Sequence, residues 1–253
     1  MPLRKRIIFI LVLLIFLTLP KVSFAATWYY PMDKYSQRQT VKAFGQFINN
    51  EFYKGKEELF PFNRFYGYHA GVDLEAYPDE QNEKVPVYTI YSGTVAYIGT
   101  LPGYGGVILQ KLDGENLPAG RQSATALYEH VKITDLQFKV NDHISVASIP
   151  IILTYLGDAF SQETSKERKH LHFAIYEGTD LYFRGHENNL NQLKAKWENP
   201  IEYLKGKGAI SPEIYLTPSP KSIPTSITKS LEKDHGIVYT NIKNLLQIFG
   251  IKI

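Results

Sequence analysis

Side chains that can bind a metal occur in two short motifs with β-type spacing. His69 and Asp73 begin and end the run His-Ala-Gly-Val-Asp, and His170 and His172 enclose a leucine in His-Leu-His-Phe. In a β-strand, residues two and four apart point to the same face of the sheet, so each motif is expected to present its two polar groups on one face. Gly71 has no side chain, which would leave the space between His69 and Asp73 open. Two such motifs on neighbouring strands can direct up to four donor groups at one point.

These donor groups suit zinc. Imidazole nitrogen and carboxylate oxygen both ligate zinc, and a catalytic zinc site keeps three protein ligands and one position for water. Either motif alone is also common in ordinary polar strands, but together, within a β-rich stretch, they predict a metal site. Because a carboxylate is a harder ligand than a thiolate, we expect manganese or cobalt to substitute for zinc in vitro.

The stretch that must position these groups has a β pattern. Short runs rich in Val, Ile and Tyr alternate with Gly, Pro, Asn and Asp turns, which is typical of an antiparallel sheet or sandwich. The runs are residues 85–90, 93–98, 106–111, 125–130, 151–156 and 171–176. We therefore predict an all-β fold, an antiparallel sheet or sandwich. Polar insertions at 78–84, 113–123 and 158–169 are expected to be loops at its edge or mouth.

Four motifs in this order resemble those of the lysostaphin (LytM-type) zinc endopeptidases of bacterial cell walls. They are His69 to Asp73, the turn Gly-Tyr-Gly-Gly-Val at 103–107, the run Tyr-Glu-His that ends at His130, and His170 to Phe173. The resemblance extends over about residues 44–204. It implies the two-sheet duplicated hybrid motif, with a metal in a groove on the larger sheet.

The resemblance also implies a role for each site residue. His69, Asp73 and His172 would ligate one zinc ion, and His130 and His170 would be catalytic histidines that do not bind metal. His170 is expected to take a proton from water as general base. His130, if protonated, would stabilise the developing oxyanion and then protonate the leaving amine.

The implied function is hydrolysis of peptide bonds in peptidoglycan cross-links or stem peptides. Two alternatives remain open: a non-catalytic wall-binding or regulatory module of the same fold, and an exported zinc peptidase that acts on proteins. The chain departs from the family pattern at residues 166–169, where a glycine-containing stretch is usual, and at Ala174, where Glu is frequent. Both departures bear on substrate preference.

The first 25 residues have the pattern of a secretory signal peptide. Arg4, Lys5 and Arg6 precede an apolar run from Ile7 to Leu19, and Ser-Phe-Ala ends at Ala25. The apolar run is shorter than the roughly 17–25 residues of a comfortable membrane span. We predict cleavage after Ala25 and an extracellular, cell-wall or periplasmic location without a stable membrane span; the alternative is an uncleaved membrane anchor.

Composition divides the remainder into four segments. Residues 26–68 are aromatic-rich and are expected to pack on the core, and 69–205 form the zinc peptidase β domain. Residues 206–225 are a linker rich in Pro and Ser, and 226–253 have the spacing of an amphipathic helix. That helix would pack on its own domain or bind a protein partner.

Several classes of function are excluded. The chain has no cysteine, which rules out disulfides, thiolate catalysis and cysteine metal sites. Its net charge of +3 comes mostly from the basic residues before Ala25, so nucleic-acid binding has no support. No Gly-rich phosphate loop is present. Of the remaining histidines, His143 is expected to be a surface or structural residue, and His186 and His235 are expected to be solvent-exposed.

Overall fold

The computed structural model describes residues 27–61, 64–114, 123–134, 136–178 and 180–213. The predicted signal peptide at 1–25, most of the linker and the helix predicted at 226–253 lie outside these residues and stay predictions. Within the described ranges, none of the helices has the length and apolar character needed to cross a bilayer.

Strands dominate the described part of the chain. They are β1 (Phe47–Ile48), β2 (Gly67–His69), β3 (Val72–Glu75), β4 (Pro86–Tyr88), β5 (Gly93–Leu101), β6 (Gly105–Leu112), β7 (Ala124–Glu129), β8 (His143–Ile144), β9 (Ile152–Tyr155), β10 (His170–Glu177), β11 (His186–Glu187) and β12 (Trp197–Glu198). The helices are short: α1 (Asn50–Tyr53), α2 (Leu190–Lys196), α3 (Pro200–Gly206), and single 3-10 turns at Tyr35–Gln37 and Pro78–Glu80. Each of the six predicted β runs overlaps a strand, and the predicted all-β class is confirmed.

The largest sheet has seven strands and all its pairings are antiparallel. Its order is β12-β10-β7-β6-β5-β8, with β3 beside the first half of β10. The other described strands form a three-stranded sheet, β1-β2-β11, and a two-stranded sheet, β4-β9. Strand β10 is therefore hydrogen-bonded to β7 on one side and to β3 and β12 on the other.

Both faces of β10 are buried. Its side chains alternate between the two faces, as the period of two in the sequence predicts. Leu171 and Phe173 belong to the main apolar core, while Ala174 and Tyr176 belong to a second apolar cluster on the opposite face. The second cluster is closed by α2 and Trp197. His170 and His172 lie on the face of this second cluster, so the sheet carries a polar site inside a largely apolar layer.

The segment before β2 covers the free edge of β3. The amide of Val41 donates to the carbonyl of Asp73 at 3.3 Å, and the amide of Asp73 donates to the carbonyl of Lys42 at 3.0 Å. Upstream, Trp28 and Tyr29 are buried in the main core. These main-chain bonds bring Lys42 next to Asp73.

The polar insertion at 158–169, expected as a loop at the edge or mouth of the sheet, folds inward at its end. Glu167, Arg168 and Lys169 are all buried. Buried charges require partners, and they have them: the Lys169 ammonium, for example, donates to the carbonyls of Gln81 at 3.2 Å and Glu83 at 2.6 Å. The segment thereby brings charged groups against the face of β10 that carries the histidines.

Candidate metal centre

His69 and Asp73 come from different sheets, and this departs from the single strand expected for their motif. His69 ends β2 in the three-stranded sheet, and Asp73 lies in β3 of the seven-stranded sheet. The chain bends between them at Gly71, where an added Cβ would lie 2.5 Å from the carbonyl oxygen of Phe173 and 2.8 Å from the His172 ring. Glycine is required here because the backbone crosses directly over β10.

Three donor atoms meet at one point. The His69 Nε2 lies 2.9 Å from the His172 Nδ1, and each of these nitrogens lies 3.1 Å from the Asp73 Oδ1. Donors around a tetrahedral zinc ion, at ~2.0–2.1 Å from the metal, are about 3.3 Å apart. The three atoms therefore form a triangle close in size to one face of a zinc tetrahedron.

The other ring nitrogens favour this use of the two histidines. The His69 Nδ1 lies 3.3 Å from the carbonyl oxygen of Ala43, so a proton on that nitrogen leaves the Nε2 lone pair free to bind a metal. The His172 Nε2 is buried 3.7 Å from the Glu129 Oε2, beyond hydrogen-bond distance, and has no hydrogen-bond partner among the described residues. The arrangement at His69 is that of a metal-binding imidazole held from behind by an oxygen atom. Two imidazole nitrogens and one carboxylate oxygen at these distances fit zinc.

Asp73 is held as a carboxylate. Its Oδ2 accepts from the Arg168 Nη2 at 2.8 Å and lies 3.3 Å from the Lys42 Nζ, while its Oδ1 faces the two histidines. Burial alone would raise the pKa of Asp73, but the charge of Lys42 and the neighbouring imidazoles outweigh it and hold that pKa well below its usual range. One anionic donor is thus available at any physiological pH.

The two remaining histidines of the motifs lie beside this triangle. Their rings are 4.4 Å apart between centroids, and the His170 Nε2 lies 3.7 Å from the Asp73 Oδ2. His130 has a φ of 62°, a left-handed conformation that is uncommon for a residue with a side chain. This conformation ends the strand alternation after Glu129, and both Glu129 and His130 line the same cavity.

Burial keeps these histidines neutral. Desolvation lowers the pKa of His69 to about 4 and that of His130 to about 3, although Asp73 acts in the opposite direction on both. The pKa of His170 is also well below its ordinary value, because of burial and then the charge of Arg168. At neutral pH all three imidazoles are therefore unprotonated.

Five residues of the site were not predicted from the sequence: Lys42, Glu129, Glu167, Arg168 and His186. Glu129 lies directly opposite His172 in the pairing of β7 with β10, as Asp73 does in the pairing of β3 with β10. Directly paired residues share a face of the sheet, so knowledge of the register would have identified Glu129. Its pKa is raised well above normal by burial and by the charges of Asp73 and Glu167.

His186 is half-buried rather than solvent-exposed. It lies opposite His69 in the pairing of β11 with β2, and its ring stacks on Phe65 with centroids 4.6 Å apart. Burial and the charge of Arg184 lower the pKa of His186 to about 4. No short motif in the sequence marks this position.

Two adjoining cavities reach the site. The inner one, of about 40 Å³, is lined by the donor residues together with His130, Glu129 and Glu167. That volume is enough for an ion and a water molecule. The outer one, of about 310 Å³, shares Phe65, Tyr104 and His186 with the inner one and extends to Arg64 and Pro102.

No protein-family model matches the chain, and a search of curated proteins finds no match. Among solved structures, the catalytic domain of the antimicrobial peptidase lysostaphin from Staphylococcus simulans is 19% identical, with a TM-score of 0.42 over 67% of this chain and 94% of that one. LytU is 20% identical, with a TM-score of 0.42 over 67% of this chain and 86% of that one. A zinc-containing peptidase from Vibrio cholerae is 19% identical, with a TM-score of 0.38 over 62% of this chain and 41% of that one. These proteins are of the kind that the sequence motifs resemble, and at this level of similarity they do not assign a reaction to this chain.

Proposed function

We propose that this chain is an exported zinc endopeptidase of the lysostaphin type that hydrolyses peptide bonds in peptidoglycan cross-links or stem peptides. His69, Asp73 and His172 would ligate one zinc ion, and His130 and His170 would move protons. The observation that carries the proposal is the triangle of three donor atoms, 2.9 to 3.1 Å on a side, that borders a small cavity next to two neutral histidines.

The ligand set favours hydrolysis over a purely structural metal site. A zinc ion held by these residues supplies a Lewis acid that makes water acidic enough to act as a nucleophile near neutral pH. Three protein donors leave a fourth position for that water. Asp73 is the single anionic donor beside two imidazoles, so a dication held here keeps a net positive charge.

His170 is the better placed general base. Its Nδ1 proton is donated to the carbonyl of Arg168 at 2.8 Å, which leaves the lone pair on Nε2. This Nε2 has no hydrogen-bond partner among the described residues and lies 3.7 Å from the Asp73 Oδ2. A proton taken from water on this side of the site would therefore go to a nitrogen with no competing bond.

His130 is the candidate for protonating the leaving amine. The low pKa of His130 makes it neutral in the free protein. It is therefore not the protonated imidazole considered in the sequence analysis. It must receive a proton before it can donate one, and the ring of His170, 4.4 Å away between centroids, is an adjacent source. The pair would then pass the proton from water to the amine.

The substrate class is supported by the outer cavity and by the N-terminal sequence. The outer cavity has room for an extended peptide beside the donor triangle, with Tyr104, Phe65 and His186 on its walls. The signal-peptide pattern before Ala25 would place the protein where bacterial cell walls are found. Both observations suit a wall peptide, and the second also suits an exported peptidase for proteins.

The test is digestion of purified cell walls by the zinc-loaded protein, with the released fragments identified by mass spectrometry. The expected result is release of fragments with new peptide termini, abolished by a chelator and restored by zinc. Bound zinc without release from any wall type would favour the non-catalytic module. Cleavage of casein-derived peptides without wall cleavage would favour the protein-directed peptidase.

Variants loaded with one equivalent of zinc distinguish the metal ligands from the catalytic histidines. His69→Ala or Asp73→Ala should lose the metal, whereas His130→Ala or His170→Ala should keep it and lose turnover by ~10²–10⁴-fold. His143→Ala is the matched control, because His143 is an exposed histidine that pairs only with Asp113 among the described residues. Metal loss in His170→Ala with retention in His172→Ala would overturn the assignment.

A further inference from the structure

An arginine lines the outer cavity but not the inner one. Arg64 is exposed, and it shares the outer cavity with Phe65, Tyr104 and His186, which also line the inner cavity. The exposed Glu57 is near enough for Arg64 to help lower its pKa. Main-chain hydrogen bonds are the larger cause of that lowering, and no ion pair joins the two side chains. Among the described residues, the charge of Arg64 therefore has no paired carboxylate.

The guanidinium of Arg64 is held in place by two contacts. Its Nε donates to the carbonyl of Phe60 at 3.3 Å, and its Cζ lies 5.1 Å from the centroid of the Tyr53 ring, which is within the range of a cation–π contact. Phe60 and Tyr53 are both buried, so these contacts orient the arginine. The Nη1 and Nη2 have no hydrogen-bond partner among the described residues. They form a pair of parallel donors of the kind that binds a carboxylate.

The charge of Arg64 is not cancelled within the outer cavity. Among the described residues, Glu167 is the one acid that lines this cavity. Its Oε2 accepts from the Arg168 Nη1 at 3.0 Å and lies 3.8 Å from the Lys42 Nζ, so its charge is compensated from the protein side. His186 is neutral at pH 7, since burial and the charge of Arg184 lower its pKa to about 4. An anionic group that enters the cavity is therefore attracted to Arg64.

We propose that Arg64 is a specificity-determining residue that binds a free carboxylate of the substrate peptide. This inference rests on the proposed function, and it narrows the substrate from wall peptides in general to acidic stem peptides. A glycine bridge carries no carboxylate along its chain, so a site of this kind favours stem peptides over such bridges. A guanidinium suits this task better than an ammonium, because its planar fork matches the two oxygens of a carboxylate.

Isothermal titration of the full metal-free chain with synthetic stem-type peptides tests the site without reference to turnover. The absence of zinc prevents cleavage and also prevents the peptide carboxylate from binding to the metal. The probes are Ala-γ-D-Glu-Lys-D-Ala with both carboxylates free and the same peptide with both amidated. We expect the free acid to bind about tenfold tighter, because hydrogen bonds between charged groups are the stronger class. Two singly amidated peptides then show whether the glutamyl or the C-terminal carboxylate is bound.

Variants assign the preference to Arg64. Arg64→Gln should bind the acid and the amide equally, and Arg64→Lys should keep part of the preference as a point charge without the fork. Arg184→Gln is the matched control, because Arg184 is also exposed and near His186 but does not line the outer cavity. Its Nη2 lies 3.4 Å from the Asn188 Oδ1. This variant should keep the full preference, and circular dichroism confirms that each variant is folded.

Three results would overturn the carboxylate site: equal affinity of the unaltered protein for both peptides, no binding of either at millimolar concentration, or an unchanged preference in folded Arg64→Gln. An equal loss of preference in Arg64→Gln and Arg184→Gln would also overturn it, since the cause would be the general positive field. Wall cleavage without any preference would reject the role of Arg64 and uphold the proposed function. A preference that depends on Arg64 in a protein that cleaves no wall would uphold the site and reject that function.

Discussion

Arg168 donates from its Nη2 to the Asp73 Oδ2 at 2.8 Å, while the Oδ1 of the same carboxylate faces His69 and His172. The same guanidinium also bonds to Glu75 and Glu167. One buried cation thus orients the carboxylate of the donor triangle and bonds to two further acids.

We expect Arg168→Gln to destabilise the metal-free protein by about 3 kcal/mol, because a buried charge network would lose its shared cation. Zinc should then stabilise the variant more than it stabilises the unaltered protein, since Asp73, Glu75 and Glu167 would lack their counter-charge. Thermal unfolding with and without zinc measures both effects. Arg38→Gln is the matched control: Arg38 makes a two-pronged bond to Glu80 away from the donor triangle. If zinc raised the unfolding temperature of the Arg168 and Arg38 variants by the same amount, the prediction would be contradicted.

Gly71→Ala should lose zinc binding together with about 2 kcal/mol of stability. The added methyl group would overlap the Phe173 carbonyl and the His172 ring, and overpacking of this kind displaces backbone and side chains. Isothermal titration with zinc and urea unfolding report the two losses. Gly206→Ala serves as the comparison, because an added Cβ at the end of α3 meets nothing within 4 Å. Normal zinc affinity in Gly71→Ala would show that the chain can shift away from β10 without disturbing the donors.

The metal-free protein should lose stability as the pH falls below neutrality. Burial lowers the folded-state pKa of His69 to about 4 and of His130 to about 3, against ~6.5 in an unfolded chain. A lowered histidine pKa contributes stability above the unfolded value, and this contribution is lost as the pH falls from about 6.5 toward the folded value. The loss at pH 5 is on the order of 2 kcal/mol per histidine. Urea unfolding at pH 7 and pH 5 should show this loss. The free energy of unfolding of His130→Gln should depend less on pH than that of the unaltered protein, and an identical pH dependence would refute this account.

A carboxyl group gives the opposite trend at higher pH. Burial raises the pKa of Glu75 to about 7, despite the lowering effect of Arg168. A raised carboxyl pKa contributes stability below the unfolded value of about 4.5, and this contribution is lost as the pH rises through 7. Glu75→Gln should therefore gain stability relative to the unaltered protein between pH 5 and pH 8. Chemical unfolding of both proteins across that range is the measurement, and parallel curves would assign the titration to another group.

Much of the fold and part of the site follow from alternation along single strands. The runs of Val, Ile and Tyr identified the strands because β-branched and aromatic residues pack well on a pleated surface. In β10, the period of two correctly placed His170 and His172 on one face and Leu171 on the other. These inferences need only the residues of one strand and no knowledge of its neighbours.

The parts that were missed depend on contacts between distant segments. Alternation alone would place His130 on the face opposite Glu129, but its left-handed conformation turns it to the same cavity. Arg168 lies in a polar insertion and Lys42 in an irregular segment before β1. Charged residues in such places are normally exposed. They are buried here because Asp73, Glu75 and Glu167 compensate their charge, and that partnership appears only when β3 and the flanking segments meet.

The main-chain bonds between residues 41–42 and Asp73 have a consequence for how copies of the protein meet in concentrated solution. An uncovered outer strand can recruit a strand from another molecule and start aggregation. At Asp73 in β3 such pairing is blocked. The amide and carbonyl to which a strand of another molecule would bond are already hydrogen-bonded to residues 41–42. The segment at residues 41–42, which places Lys42 next to Asp73, therefore also protects this edge of the sheet from intermolecular pairing.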